Sequence, residues 1–61
     1  MIIKEGSKWS TSDGRIFVVI HVIDQEDHTW VHYRQEGNVD EPREYSCYQE
    51  SFQERFRELP A

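Results

Sequence analysis

The sequence predicts a mainly β domain with one C-terminal helix, in the order β-β-β-β-α. Three observations predict this order. An Asp13-Gly14 turn separates two apolar segments, an apolar run at 16–23 follows it, and the spacing of apolar residues changes from alternation to i, i+4 near the C-terminus. Short strands with hairpin links favour a small SH3-like barrel, and the alternative is a bent antiparallel sheet capped by the helix.

The first predicted strand covers 1–9. Ile2 and Ile3 are β-branched and favour an extended chain. A turn follows at 10–14, where Asp13-Gly14 is a strong hairpin signal because Gly adopts positive φ at no steric cost.

The second predicted strand covers 15–23 and is apolar on both faces. Strict alternation divides its residues into one face with Ile16, Val18, Ile20 and Val22, and another with Phe17, Val19, His21 and Ile23. A strand with two apolar faces is expected at the centre of a sheet that is covered on both sides.

The third and fourth predicted strands cover 29–36 and 43–47, after polar loops at 24–28 and 37–42. Val31 and Tyr33 share one face of the third strand, while Trp30, His32 and Arg34 share the other. The pattern does not decide which of these faces is buried. In the fourth strand, Tyr45 and Cys47 lie on the same side.

The C-terminal segment has helical spacing. Tyr48, Phe52 and Phe56 recur every four residues and predict an amphipathic helix of about three turns. Ser46 followed by Gln49 fits a capping box and predicts Ser46 as the N-cap, and Pro60 ends the helix. So short a helix needs to dock its aromatic stripe on the sheet to be stable.

The size and charge of the chain limit the functions that it can have. The chain has 61 residues, 12 acidic and 7 basic, and a formal net charge of -5, so we expect a single domain over 1–61. No apolar run is long enough to span a membrane. The single Cys47 and the absence of an export signal predict a cytoplasmic protein. A chain this small also leaves a homodimer open.

We expect no enzyme and no cofactor. Cys47 is the one thiol, but no glycine-rich elbow or third polar group marks it as a nucleophile, and a domain this small lacks walls for a deep pocket. His28 and His32 have a zinc-like spacing, yet in a strand four residues span about 13 Å, which is too far for one metal ion. We therefore predict no metal site.

The acidic residues concentrate between 24 and 44, in two consecutive loops that we expect at one end of the sheet. This pattern predicts a non-catalytic interaction module that binds a basic protein partner, with solubility as the simpler interpretation. The candidate partner-binding residues are Trp9, Asp24, Glu26, Asp27, Trp30, Glu36, Asp40 and Glu41.

The alternative is a small nucleic-acid-binding accessory factor. It requires the basic residues at the two ends of the chain to meet in one patch, namely Lys4, Lys8, Arg15, Arg55 and Arg57. Trp9, Trp30 and Tyr33 would then provide stacking platforms.

Four motifs, spread over nearly the whole chain, are similar to those of a known group of short proteins. They read Gly6-x-x-Trp9, Asp13-Gly14-Arg15-x-Phe17-x-Val19-x-x-Val22, Trp30-Val31-x-Tyr33 and Phe52-x-x-Arg55-Phe56. The sequence resembles the short proteins of about this length encoded by tailed phages and enterobacterial prophages. The resemblance implies a phage accessory protein in the cytoplasm of a bacterial host cell, and a fold; it implies no activity and no functional residue.

Overall fold

The computed structural model describes residues 3–37 and 43–60, which form five strands and one helix. The elements are β1 (Lys8–Ser10), β2 (Ile16–Asp24), β3 (Thr29–Gln35), β4 (Glu44–Tyr48), α1 (Gln49–Arg55) and β5 (Arg57–Glu58). The strands form one sheet in the order β4-β3-β2-β1-β5, and every neighbouring pair is antiparallel. The predicted mainly β fold with one helix near the C-terminus is confirmed.

The N-terminal strand is shorter than predicted and begins at Lys8. Before it, the chain turns at Lys4–Ser7, where Ser7 N–H donates to the Lys4 carbonyl at 3.2 Å and Gly6 has φ of +85°. Ile3 is buried in the core, and Met1 and Ile2 lie outside the described residues. The Asp13-Gly14 turn is confirmed: Gly14 has φ of +90°, and Thr11 N–H bonds to the Arg15 carbonyl.

An irregularity in β2 reverses the faces that strict alternation predicts for its second half. Val19 is opposite Tyr33 and His21 is opposite His32, so Ile20 is an extra residue without a partner in β3. Phe17 and Val19 face the core as one set, but beyond the bulge Val22 faces the core and Ile23 faces solvent. Bulges bend a strand, and this one divides the longest strand of the sheet.

One face of the sheet, with α1 laid across it, forms the core. Val31 and Tyr33 lie on this face of β3, which answers the question that the sequence pattern left open. The buried side chains are Ile3, Trp9, Phe17, Val19, Val31, Tyr33, Phe52 and Phe56. The opposite side of the sheet, which α1 does not cover, is the outer face.

The C-terminal segment differs from the prediction in three ways. The helix spans only Gln49–Arg55, because the chain becomes extended at Phe56 and continues as β5 against β1. Tyr48 is the N-cap with no side-chain capping bond, and Ser46 lies within β4, so the predicted capping box is wrong. Pairing with β1, including the 2.9 Å bond from Leu59 N–H to the Lys8 carbonyl, ends the helix before Pro60 does.

Tyr48 does not belong to the buried helical stripe. Phe52 and Phe56 pack in the core as predicted, but Tyr48 is the last residue of β4 and is 39% exposed. Its cross-strand partner is Trp30 on the outer face, so the i, i+4 spacing from Tyr48 to Phe52 crosses the boundary between strand and helix. In the described part of the chain, no helix has the length and apolar character needed to cross a membrane.

Candidate functional site: an aromatic patch on the outer face of the sheet

Two rows of cross-strand neighbours form the centre of the outer face. In one row, Ile23 is opposite Trp30, which is opposite Tyr48. In the next row, His21 is opposite His32, which is opposite Ser46. Directly opposed residues share a face of an antiparallel sheet, so each row presents its side chains on one side.

Rings cluster at the end of the first row. The centroids of Trp30 and Tyr48 are 4.5 Å apart, and His28 from the β2–β3 loop stacks on Tyr48 at 4.2 Å with an interplanar angle of 13°. Ile23 is 45% exposed beside them. We call Ile23, His28, Trp30 and Tyr48 the outer aromatic patch.

A shallow hollow adjoins this patch. It has a volume of about 400 Å³ and is lined by Ile23, Gln25, Trp30, His32 and Ser46. Its walls are therefore the apolar edges of the patch together with a few polar side chains. Ligand sites commonly combine surfaces of these two kinds.

Three exposed carboxylates lie in and beside the loop that follows Ile23. They belong to Asp24, Glu26 and Asp27. The loop has two bracing contacts: Gln25 N–H donates to the His28 carbonyl at 2.8 Å, and the Thr29 hydroxyl donates to Asp24 Oδ1 at 2.8 Å. We call Asp24, Glu26 and Asp27 the acidic loop; it is adjacent in sequence to both Ile23 and His28 of the patch.

Glu36 does not lie with the acidic loop, so the prediction of one acidic end is wrong for the described residues. Consecutive loops of an antiparallel meander lie at opposite ends of the strand that joins them, and the seven residues of β3 span about 20 Å. Glu36 is at the far end from the acidic loop and forms an ion pair with Lys8 at 2.8 Å. Asp40 and Glu41 lie outside the described residues.

Trp9 is a core residue. It is 3% exposed, its ring contacts Phe52 at 5.0 Å, and its indole N–H donates to Ser7 Oγ at 2.8 Å. A side chain held in this way presents no surface to a partner, so the assignment of Trp9 to partner binding is wrong. Trp30 is only partly buried and lies on the outer face.

The basic residues meet only in part. Arg55 and Arg57 line a cleft of about 660 Å³ against the β1–β2 turn, as the nucleic-acid hypothesis requires. However, Asp13 and Glu54 line the same cleft, and the Arg15 guanidinium forms an ion pair with Asp13 at 2.7 Å. Cations interleaved with carboxylates do not make the continuous basic stripe that phosphate binding needs.

The candidate metal-ligating and nucleophilic residues do not form one cluster, although His21 lies opposite His32. His28 stacks on Tyr48, and His21 Nδ1 is 3.7 Å from Glu5 Oε2. Cys47 is half-buried against the core face. Within 3–37 and 43–60, no three His, Cys, Asp or Glu side chains are grouped as the ligands of a metal ion would be.

Two described groups have clearly shifted pKa values. Burial raises the pKa of Tyr33, and the nearby Cys47 side chain adds to the shift while Arg55 opposes it. Hydrogen bonds from Thr11 and then Arg15 lower the pKa of Asp13 from 3.8 to about 2. Tyr33 is a core residue and Asp13 stabilises a turn, so both shifts have structural causes.

The Asp13 shift predicts a pH dependence of stability. Because the folded pKa lies below the unfolded one, the ionised turn stabilises the fold above about pH 4, and this contribution disappears as the pH falls towards 2. We expect Asp13→Asn to lower the melting temperature at pH 5 and to have a much smaller effect at pH 2, where about half of the folded-state carboxylate is protonated. Thermal melts across this pH range measure the stability, and an NMR titration of the Asp13 carboxyl measures its pKa.

The matched control for this prediction is Arg15→Gln, which removes one of the two donors to Asp13. In that variant the Asp13 pKa should move back towards its ordinary value. Titration of wild-type Asp13 close to 3.8 would contradict the prediction.

The chain matches no known protein family, no curated protein and no solved structure. The resemblance to short phage proteins therefore stays a prediction.

Sequence reasoning found Trp30 and the acidic loop but missed Ile23, His28 and Tyr48. Tyr48 carried a usable signal, since Glu44, Ser46 and Tyr48 alternate with Tyr45 and Cys47. Extending the strand by one residue would have placed Tyr48 on the face opposite that of Tyr45 and Cys47. No comparable signal existed for Ile23, because its face depends on the bulge.

Proposed function

We propose that this protein is a non-catalytic interaction module that binds a basic segment of a partner protein on the outer aromatic patch. The observation that carries the proposal is the cluster of Trp30, Tyr48 and His28 rings on the sheet face that α1 leaves open, beside the acidic loop. The partner-binding residues are then Trp30, Asp24, Glu26 and Asp27 from the sequence, with Ile23, His28 and Tyr48 added.

The chemistry of the patch suits an arginine or lysine side chain. Exposed indole and phenol rings attract a cation through their electron-rich faces, by about 0.5–2 kcal/mol for each contact. The carboxylates of the acidic loop add long-range attraction, which accelerates encounter with a basic partner and weakens as salt is added. The chain as a whole has a net charge of -5, which has the same sign as the charge of the acidic loop.

Nucleic acid is the alternative partner, and the charges favour it less. The aromatic patch adjoins carboxylates, while Arg55 and Arg57 lie in a different cleft together with Asp13 and Glu54. A stacking platform whose nearest charges are negative repels phosphate.

The direct experiment is titration of the ¹⁵N-labelled protein with an arginine-rich nonapeptide, an acidic nonapeptide and single-stranded oligo-dT, followed by amide chemical shifts. We expect only the basic peptide to bind, with the largest shifts at Ile23, His28, Trp30 and Tyr48. Shifts caused by oligo-dT alone would support the nucleic-acid alternative and reject the proposal.

Two tyrosines of β4 provide a matched pair of variants. Tyr48 and Tyr45 have similar exposures, 39% and 43%, but lie on opposite faces of the same strand. We expect Tyr48→Thr to weaken binding of the arginine-rich peptide about tenfold, as the loss of roughly 1.4 kcal/mol would do, because one ring of the patch is removed. Tyr45→Thr should change it less than about twofold. Equal effects of the two substitutions, measured by the same titration, would contradict the assignment of the site to the outer face.

A further inference from the structure

The two edges of the sheet are constructed differently. β5 has only two residues, Arg57 and Glu58, both charged and followed closely by Pro60. Short length, charge and proline are the features with which proteins prevent an edge strand from pairing with another chain. The β5 edge is therefore protected.

The β4 edge is longer and more regular than the β5 edge, although its first residue, Glu44, is charged and Pro42 lies two residues before it. It has five residues, contains no lysine, proline or glycine, and pairs with β3 in an unbroken register from Glu44 to Tyr48. Tyr45 and Tyr48 leave large aromatic surfaces exposed on its two faces. A regular edge strand with exposed aromatic residues on both sides is suited to accept another strand.

We propose that β4 pairs antiparallel with β4 of a second copy of this chain, about a two-fold axis at Ser46. This would join two five-stranded sheets into one continuous sheet. The proposal does not depend on the function proposed above, since it concerns backbone pairing at an edge.

The sequence of β4 is complementary to itself in one register. A two-fold axis perpendicular to the sheet keeps the faces of both copies aligned, and only the axis at Ser46 pairs all five residues. Glu44 then lies opposite the partner's Tyr48, and Tyr45 lies opposite the partner's Cys47. No like charges face each other, and the small Ser46 occupies the axis, where the two side chains come closest.

The exposed surface is larger than that expected of a compact monomer of this mass. The accessible surface is 4863 Å², whereas a compact monomer of 7.4 kDa is expected to expose roughly 4200 Å². A chain this small gains stability by covering such surface with another subunit.

Sedimentation velocity between about 10 µM and 1 mM, in 150 mM salt, tests the proposal. We expect a concentration-dependent dimer in the wild-type protein. Ser46→Lys places two cations at the axis on an exposed position and should weaken dimerisation at least tenfold. Ser12→Lys makes the same change of charge in the β1–β2 turn, two strands away, and should leave dimerisation unchanged.

Cysteine crosslinking tests the register and does not depend on whether Ser46→Lys folds. In antiparallel sheets, directly opposed Cα atoms are about 4.5–5.5 Å apart, within the range of a disulfide. Ser46→Cys in a Cys47→Ser background should therefore give a covalent dimer when oxidised glutathione is added. Wild-type Cys47 should not, because the two copies of Cys47 are diagonal neighbours about 7–8 Å apart.

Three outcomes would overturn the proposal. The first is that the protein stays monomeric at every concentration, even if its β4 edge binds a different chain. The second is equal weakening by Ser46→Lys and Ser12→Lys. The third is crosslinking through wild-type Cys47 in place of position 46, which would require another register.

Discussion

Phe52→Ala should leave most of the protein unfolded at 25 °C. Phe52 is fully buried and contacts three rings: its centroid is 4.3 Å from Phe56, 5.0 Å from Trp9 and 5.1 Å from Tyr33. Truncating a buried Phe to Ala costs about 3–5 kcal/mol, because apolar surface is lost and a cavity remains. A core in so small a domain rarely supplies more than about 3–5 kcal/mol in total, so the substitution removes nearly all the stability.

Urea or thermal unfolding followed by circular dichroism measures this effect. Phe52→Leu should retain a cooperative transition with a smaller loss, because it leaves less of a cavity. Ile23→Ala removes apolar atoms from a side chain that is 45% exposed, and it should cost less than about 1 kcal/mol. A Phe52→Ala variant that melts at the wild-type temperature would show that α1 does not hold the sheet together.

Val22→Asp should destabilise the fold far more than Ile23→Asp. Val22 packs against the core and lies opposite the fully buried Val31, whereas Ile23 lies on the outer face opposite Trp30. Burying part of a carboxylate without a partner costs at least about 2–3 kcal/mol, which lowers the melting temperature of a domain this size by roughly 10 °C or more. At position 23 the carboxylate stays in water, and we expect a change of about 0.5–1 kcal/mol.

These two neighbouring substitutions test the bulge at Ile20. Without the extra residue, strict alternation would place Ile23 on the core face with Phe17 and Val19, and the order of the effects would be reversed. Thermal melts of the two variants under identical conditions distinguish the arrangements. A larger loss for Ile23→Asp would show that β2 runs without the irregularity.

The sequence correctly predicts the elements whose conformation depends on neighbouring residues. The Asp13-Gly14 turn follows from the conformational freedom of glycine, and the third strand was predicted within one residue because its alternation is uninterrupted. The burial of Phe52 and Phe56 followed from their helical spacing. Tyr45 and Cys47 share one face of β4, as their alternation predicts, and Cys47 lies half-buried against the core.

The sequence-based predictions are wrong where contacts between residues far apart in the chain decide the conformation. The helix ends at Arg55 because the residues after it pair with β1, which is more than 40 positions away in the chain. Trp9 and Trp30 have the same side chain and similar strand contexts, but only Trp9 lies beneath α1. The acidic residues are close together in the sequence. In the folded sheet, however, Glu36 and the acidic loop lie at opposite ends of β3.

The mainly β domain with a C-terminal helix, the tight turn at Gly14 and the excess of negative charge between 24 and 44 can be predicted from the sequence, because turn chemistry, periodicity and charge are properties of neighbouring residues. Which side chains share a surface depends on the tertiary structure. The bulge at Ile20 turned Ile23 outward, and the pairing of β3 with β4 brought Tyr48 against Trp30. Both depend on strand register, which forms only when segments far apart in the chain align their backbone hydrogen bonds.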